Sequence, residues 1–205
     1  MVERTGLENQ HTRDRIEGSN PSLSARLYKL KSVEEHHDIL GRHVDNLMKF
    51  YAPYFKDSDN DFKGSTAHYM KYNAITLLRG LPHYNLVFDE LLSIICEYYE
   101  GDSETIFLKA WINYHSEDEL LDWHDHQSLF HGYLSIRPHD TVTEFKDGKI
   151  QNEIGGMYIG PGNLKHRVVS NTKFTEKRIT IAFDVNDKIE ELSNPFIQVP
   201  ILKTL

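Results

Sequence analysis

The stretch Ile106-Phe107-Leu108-Lys109-Ala110-Trp111-Ile112-Asn113-Tyr114 marks where the chain changes character. It is rich in β-branched and aromatic residues and reads as a strand. Downstream, short strand-like runs recur at 130–137, 141–146, 156–160, 166–170 and 178–185. Turn signals punctuate them at Asp147-Gly148, Gly155-Gly156 and Gly160-Pro161-Gly162. Upstream the pattern is helical. Residues 33–52 place Ile39, Leu40, Val44, Leu47, Met48 and Tyr51 at three- to four-residue steps, the period of an amphipathic helix. Residues 84–100 repeat it, with Leu86, Val87, Leu91, Ile94, Ile95 and Tyr98 on the buried side. Helices first and many short strands later predict a mainly β chain with N-terminal helices (α+β), a sandwich or jelly roll buttressed by helices.

The chain has 205 residues, enough for one sizeable core, and is expected to be a single domain. Its expected parts are a polar leader at 1–24, a helical support region at 25–103, a jelly-roll core at 104–190 and a C-terminal tail at 191–205. Hydrophobic content of 39% with 26% charged residues describes a soluble globular protein. The net charge is -8 and no basic patch stands out to neutralise a phosphate backbone, so nucleic acid is not an expected partner. The one cysteine, Cys96, cannot form an internal disulfide and reads as a buried apolar residue on a helix, which fits a reducing compartment. Val2-Glu3-Arg4-Thr5 shows no apolar signal core, and no segment has the length of apolar sequence that a membrane span needs. A cytoplasmic location with no membrane contact is the expectation. Asp57-Ser58-Asp59-Asn60-Asp61 is a polar loop that lacks the full calcium-loop pattern and its terminal Glu.

Histidine is abundant, at 12 residues, and three of them form a pattern. His124 and His126 stand in Leu120-Leu121-Asp122-Trp123-His124-Asp125-His126, and His166 follows Gly160-Pro161-Gly162 and leads into Val168-Val169. On a strand or its end, alternation puts His124 and His126 on one face with Asp125 opposite. A jelly roll can bring such strands together across its mouth. Imidazole suits iron, zinc, copper or nickel, so the ligands alone do not name the metal. Arg178 opens Arg178-Ile179-Thr180-Ile181-Ala182-Phe183, an alternating strand on which Arg178 and Thr180 share a face. A guanidinium offers a bidentate fork to a carboxylate, and a neighbouring hydroxyl adds a third hydrogen bond. The plain alternatives are three unrelated polar histidines and an edge arginine with its head in water.

From about Ala110 to Asp184, some 75 residues, the sequence resembles the Fe(II)/2-oxoglutarate-dependent oxygenases, and most of all their small prolyl-hydroxylase-like bacterial and phage branch. The matching pieces are Asn113-Tyr114 before His124, the His-x-His run, Gly132-Tyr133-Leu134-Ser135-Ile136, Gly155-Gly156, His166 after Pro-Gly, and Arg178-x-Thr180. The resemblance implies a double-stranded β-helix (cupin-like jelly roll). It implies that His124 and His166 bind iron, that Arg178 and Thr180 hold the far carboxylate of 2-oxoglutarate, and that Tyr114 or Tyr133 assists. With Fe(II), 2-oxoglutarate and O2, the implied reaction decarboxylates the cosubstrate to succinate and hydroxylates an unactivated C–H bond. A prolyl, amino-acid, peptide or other small-molecule substrate is the expectation. The helices at 33–52 and 84–100 either buttress the sheet or build a homodimer interface.

One departure stands out. The family's pattern is His-x-Asp/Glu, and here the third position is His126. Either the centre has three histidines, or a carboxylate such as Asp125, or Asp122 on the face of His124, takes the place. His115-Ser116-Glu117 reads literally as His-x-Glu, but using it as the metal pair loses the match of Tyr114 and of the strand after His126. Trp123 either walls the pocket or fills the core. Two rival functions remain. A metal-dependent cupin dioxygenase or isomerase without 2-oxoglutarate would want a Glu near position 131, where His131 stands, and has no need of Arg178-x-Thr180. A non-catalytic jelly-roll binding protein would bind metal weakly or not at all.

Overall fold

A computed structural model describes residues 25–51, 65–66, 69–188 and 195–201. The elements run β1 (Arg26–Lys29), α1 (Lys31–Tyr51), α2 (Ala74–Leu78), α3 (Tyr84–Tyr98), β2 (Thr105–His115), β3 (Phe130–Arg137), β4 (Thr141–Phe145), β5 (Gly148–Gln151), β6 (Gly156–Pro161), β7 (His166–Ser170), β8 (Arg178–Asn186) and β9 (Ile197–Pro200). Six strands form one sheet in the order β1-β6-β3-β8-β2-β9, and three form a second in the order β5-β4-β7. Every pairing is antiparallel. From β3 onward the chain passes back and forth between the two sheets, which is the winding of a jelly roll.

The expected helices at 33–52 and 84–100 correspond to α1 and α3, and the six expected strands to β2, β3, β4, β6, β7 and β8. Asp147-Gly148 does close the β4–β5 hairpin, with Phe145 paired to Gly148. Three strands and a helix carried too little pattern to be read. β5 is almost wholly solvent-facing, β1 is a four-residue edge strand, and α2 is barely longer than one turn. Ile197–Pro200, expected within a tail, instead pairs with β2 as an edge strand and buries Val199. The polar leader and the Asp57–Asp61 loop lie outside the described residues.

The six-stranded sheet is covered on both sides. One face carries Leu108, Ala110 and Ile112 of β2, Leu134 and Ile136 of β3, and Ile179, Ile181, Phe183 and Val185 of β8. These pack on Val33, Leu40 and Val44 of α1 and Val87, Phe88, Leu91 and Ile95 of α3. Burying each such side chain contributes about 1.5–3 kcal/mol, and this contact holds the helices to the sheet. Two polar ties fix their placement. Glu90 of α3 accepts from the first amides of α1, Lys31 at 3.1 Å and Ser32 at 3.2 Å, a cap supplied across the layer. Arg137 of β3 lies over Gly41, where any Cβ would sit 2.7 Å from its Nη2, and forks onto Asp45 at 3.2 and 2.9 Å. Cys96 is half-buried on α3, so it is only partly the core residue its neighbours suggested.

Candidate metal centre

The other face of the large sheet looks into the jelly roll, and it mixes polar and charged residues with a small apolar cluster that includes Trp111, Tyr133, Tyr158 and Ala182. Across β2 and β8 the directly opposed pairs are Lys109 with Asp184, Trp111 with Ala182, Asn113 with Thr180 and His115 with Arg178. On β3, His131 is opposite Asp184. Thr141, Thr143 and Phe145 of β4 and His166 of β7 belong to the facing sheet. The cleft therefore has a carboxylate at one end and a guanidinium at the other.

His124 and His126 do not lie on a strand, which corrects the expectation of a strand-borne pair. His124 forms a single bridge with His166, each amide donating to the other's carbonyl at 2.9 Å. The amide of His126 donates to the carbonyl of Gly162 at 2.9 Å. Gly162 is needed there: a Cβ would fall 2.2 Å from the carbonyl oxygen of Ser128, so the Gly-Pro-Gly run lets the two segments close. Asp125 points outward and is exposed.

The result is a cluster. One ring nitrogen each of His124, His126 and His166 lies within 4.8 Å of the others. Their hydrogen bonds fix the tautomers. Nδ1 of His124 donates to the carbonyl of Asp122 at 2.7 Å, and Nδ1 of His166 to the carbonyl of Leu164 at 2.9 Å. Nδ1 of His126 lies 2.9 Å from Asp184 Oδ1. Carbonyls and carboxylates only accept, so each Nδ1 carries the proton and each Nε2 the lone pair. Nε2 of His126 is buried and has no hydrogen-bond partner among the described residues. Burial lowers the His124 pKa, and burial with the neighbouring imidazoles lowers that of His166 to about 2. Neutral rings with one nitrogen each gathered within 4.8 Å, one of them buried without a partner among the described residues, are the kind of donor set a transition metal needs.

Asp184 sits behind this cluster and was not singled out in the sequence. It receives His126 and His131 through their Nδ1 atoms at 2.9 and 3.2 Å, Ser128 Oγ at 3.2 Å and Lys109 Nζ at 3.2 Å. Burial pushes its carboxyl up, but the hydrogen bonds from the two histidines outweigh that and hold it well below the ordinary carboxylate range. His131 stacks on His126 with ring centroids 3.6 Å apart, and burial drops its pKa to about 3. His126, His131 and Asp184 also have the spacing of a metal group. That carboxylate already holds a cation, the Lys109 ammonium.

Arg178 lies at the far end, 2% exposed. It donates through Nε to Thr141 Oγ1 at 3.3 Å and through Nη1 to Thr180 Oγ1 at 3.4 Å, and no carboxylate pairs with it among the described residues. Burial lowers its pKa to about 10, so it remains a cation at neutral pH. Thr180 Oγ1 also accepts from Asn113 Nδ2 at 3.2 Å, which leaves its own proton to donate. Tyr133 faces the same cleft with its buried hydroxyl toward Thr143, and the buried Oγ of Ser135 makes no hydrogen bond among the described residues. The expectation for Tyr114 fails. It stands on the opposite face of β2, toward Asp45 of α1 and under the Lys177 ammonium. His115 is buried against Thr66 and Glu117 is exposed, so His115-Ser116-Glu117 is not a metal pair. Trp123 neither fills the core nor faces the cleft; it is 41% exposed beneath Arg167.

A cavity of about 850 Å³ opens between β1 and β5. Tyr133 and Ser135 form part of its wall, so it backs onto the cleft, but neither Arg178 nor the clustered histidines line it.

No protein-family model matches the sequence, and no curated protein matches it at a significant level. Among solved structures, a 2OG-Fe(II) oxygenase family oxidoreductase from Burkholderia pseudomallei is similar at 14% identity and a TM-score of 0.40, over 53% of this chain and 60% of that one. A candidate oxygenase from Shewanella oneidensis matches at 12% identity and a TM-score of 0.49, over 83% of this chain and 84% of that one. A cupin domain from Bordetella pertussis matches at 17% identity and a TM-score of 0.30, over 42% and 88%. These likenesses are too distant to carry function, which is read from the site itself. Among the described residues no helix is long and apolar enough to cross a membrane.

Proposed function

We propose that this chain is an iron(II)-dependent oxygenase that takes 2-oxoglutarate as cosubstrate and hydroxylates an unactivated C–H bond. His124, His126 and His166 hold the metal. Arg178 and Thr180 hold the distal carboxylate. The single observation that supports this reading best is Arg178: a buried guanidinium with hydroxyls but, among the described residues, no carboxylate around it suits a bound anion. Its place fits. Thr141, which Arg178 touches, and Phe145, paired with His166, are four residues apart on β4, about 13 Å at strand rise. The guanidinium and the histidines therefore stand toward opposite ends of one cleft, as a diacid held at both of its ends requires.

When bound, the iron would supply the centre at which oxygen is activated, while the decarboxylation of 2-oxoglutarate and the C–H bond of the substrate would each give two of the four electrons that oxygen takes up. The chain's own residues do the rest. Arg178 neutralises the incoming carboxylate, and the Thr180 hydroxyl donates to it. The Tyr133 and Ser135 hydroxyls offer further donors along the cleft. Trp111, Phe145 and Tyr158 wall it and keep water from the reacting centre. An all-histidine donor set would equally serve a metal-dependent cupin dioxygenase or isomerase without an oxo-acid; Arg178 has no task in that reading.

The test is an anaerobic visible-absorption titration with Fe(II) and then 2-oxoglutarate. The expected result is a weak band that needs both. Bound iron without the band would favour the cupin reading, and no bound metal would favour a non-catalytic binding protein. Asp125→Ala is expected to leave iron affinity unchanged, whereas His126→Ala should lower it sharply.

A further inference from the structure

We infer that Asp184 is a positioning residue for the metal, acting through the His126 ring to give back, one hydrogen bond removed, the negative charge that a carboxylate ligand would supply directly. This rests on the ligand set proposed above. Three neutral imidazoles leave a divalent ion without charge compensation in its first shell. Asp184 lies against that shell: its Oδ1 is 2.9 Å from His126 Nδ1, while the opposite atom of the same ring, Nε2, is buried with no partner among the described residues. A carboxylate on Nδ1–H fixes the tautomer and makes Nε2 a stronger donor. Asp184 is itself held by three other donors, from Ser128, His131 and Lys109, so its orientation is set. Lys109 occupies Oδ2, and its ammonium is packed among Tyr69, Trp111 and Phe196. It already neutralises the one carboxylate of the His126–His131–Asp184 group, so it weakens that group as a competing metal site and moderates the charge that reaches His126.

The relay makes opposite demands on the two partners. Asp184→Asn keeps an acceptor for His126 but removes the charge, and should weaken metal affinity by about 10- to 100-fold, measured by chelator competition with Fe(II) or Co(II). Lys109→Gln removes the moderating charge and should bind the first ion at least as tightly as the wild type. A merely structural role would weaken both. On the metal-free wild type, long-range ¹H–¹⁵N spectra should show His126 protonated at Nδ1; protonation at Nε2 overturns the inference whether or not metal binds. Wild-type affinity in Asp184→Asn, with His126→Ala defective, overturns the relay and leaves the metal centre standing. A wild type that takes up no metal removes the ligand set itself, and the relay with it.

Discussion

The two faces of β8 do opposite jobs with neighbouring residues. Ile179, Ile181, Phe183 and Val185 turn to the helices and are fully buried among apolar partners. Arg178, Thr180 and Asp184 turn inward and are just as buried, among groups that are charged, coupled or left unsatisfied. The outer face stabilises the fold. The inner face costs stability, because among the described residues a buried guanidinium has no carboxylate and the Ser135 hydroxyl has no partner, and both have given up water for little in return. Such a face persists because the outer one over-determines the structure around it.

Substitutions on the two faces should therefore diverge. The largest effect is expected from His166→Ala, which should reduce metal affinity by at least about 100-fold while the far-ultraviolet circular dichroism is unchanged; normal metal uptake would remove His166 from the ligands. Next comes Arg178→Met. Cosubstrate affinity should fall by about 2–5 kcal/mol, roughly 30-fold or more, yet the empty protein should melt no lower than the wild type, since an unpaired buried charge is gone. Calorimetry on both forms checks the two halves separately, and a strongly destabilised Arg178→Met would mean that the guanidinium serves the fold. Ile181→Ala, on the outer face, should cost about 2–5 kcal/mol in denaturant unfolding. Ser135→Ala, on the inner face, should stay within about 1 kcal/mol of the wild type and leave the melting curve almost unmoved.

The inner face should also make stability sensitive to acid. Burial holds His115 and His131 at about 3 and His166 at about 2, below the ordinary histidine value of 6.5. The unfolded chain then binds more protons than the folded one between pH 6.5 and about 3, so stability is full above pH 6.5 and falls as the pH drops through that window. Each such imidazole should cost on the order of 1–2 kcal/mol at pH 5. A melting temperature flat from pH 7 to 5 would contradict the burial of these rings.

The same contrast explains what could be read from the sequence. Long amphipathic helices and β-branched runs announce the outer face, so α1, α3 and six strands were legible. His124, His126, His166, Arg178 and Thr180 were legible as a pattern of residue types, and the structure brings the three histidines together and puts Arg178 and Thr180 side by side. Tyr114 was misplaced because Asn113-Tyr114 matches a motif, while the pleat gives the cleft to Asn113 and turns Tyr114 to the helices. Asp184 and Lys109 went unread although each breaks an apolar run. Alternation alone puts Asp184 on the face of Arg178 and Thr180, but its pairing with Lys109 depends on a register between strands some seventy residues apart, which local pattern does not contain.

The mutual bridge between His124 and His166 has a consequence for chain entropy. It closes a loop of about 40 residues, helped by the amides of His126 and Val168 donating to Gly162 and Leu121, and an ion held by both imidazoles would act as a reversible cross-link across that loop. Occupancy at a hundred times the dissociation constant would add about 2.7 kcal/mol to folding. The segment carrying Trp123 and Asp125 would then be loose or latched according to how much free metal surrounds the protein.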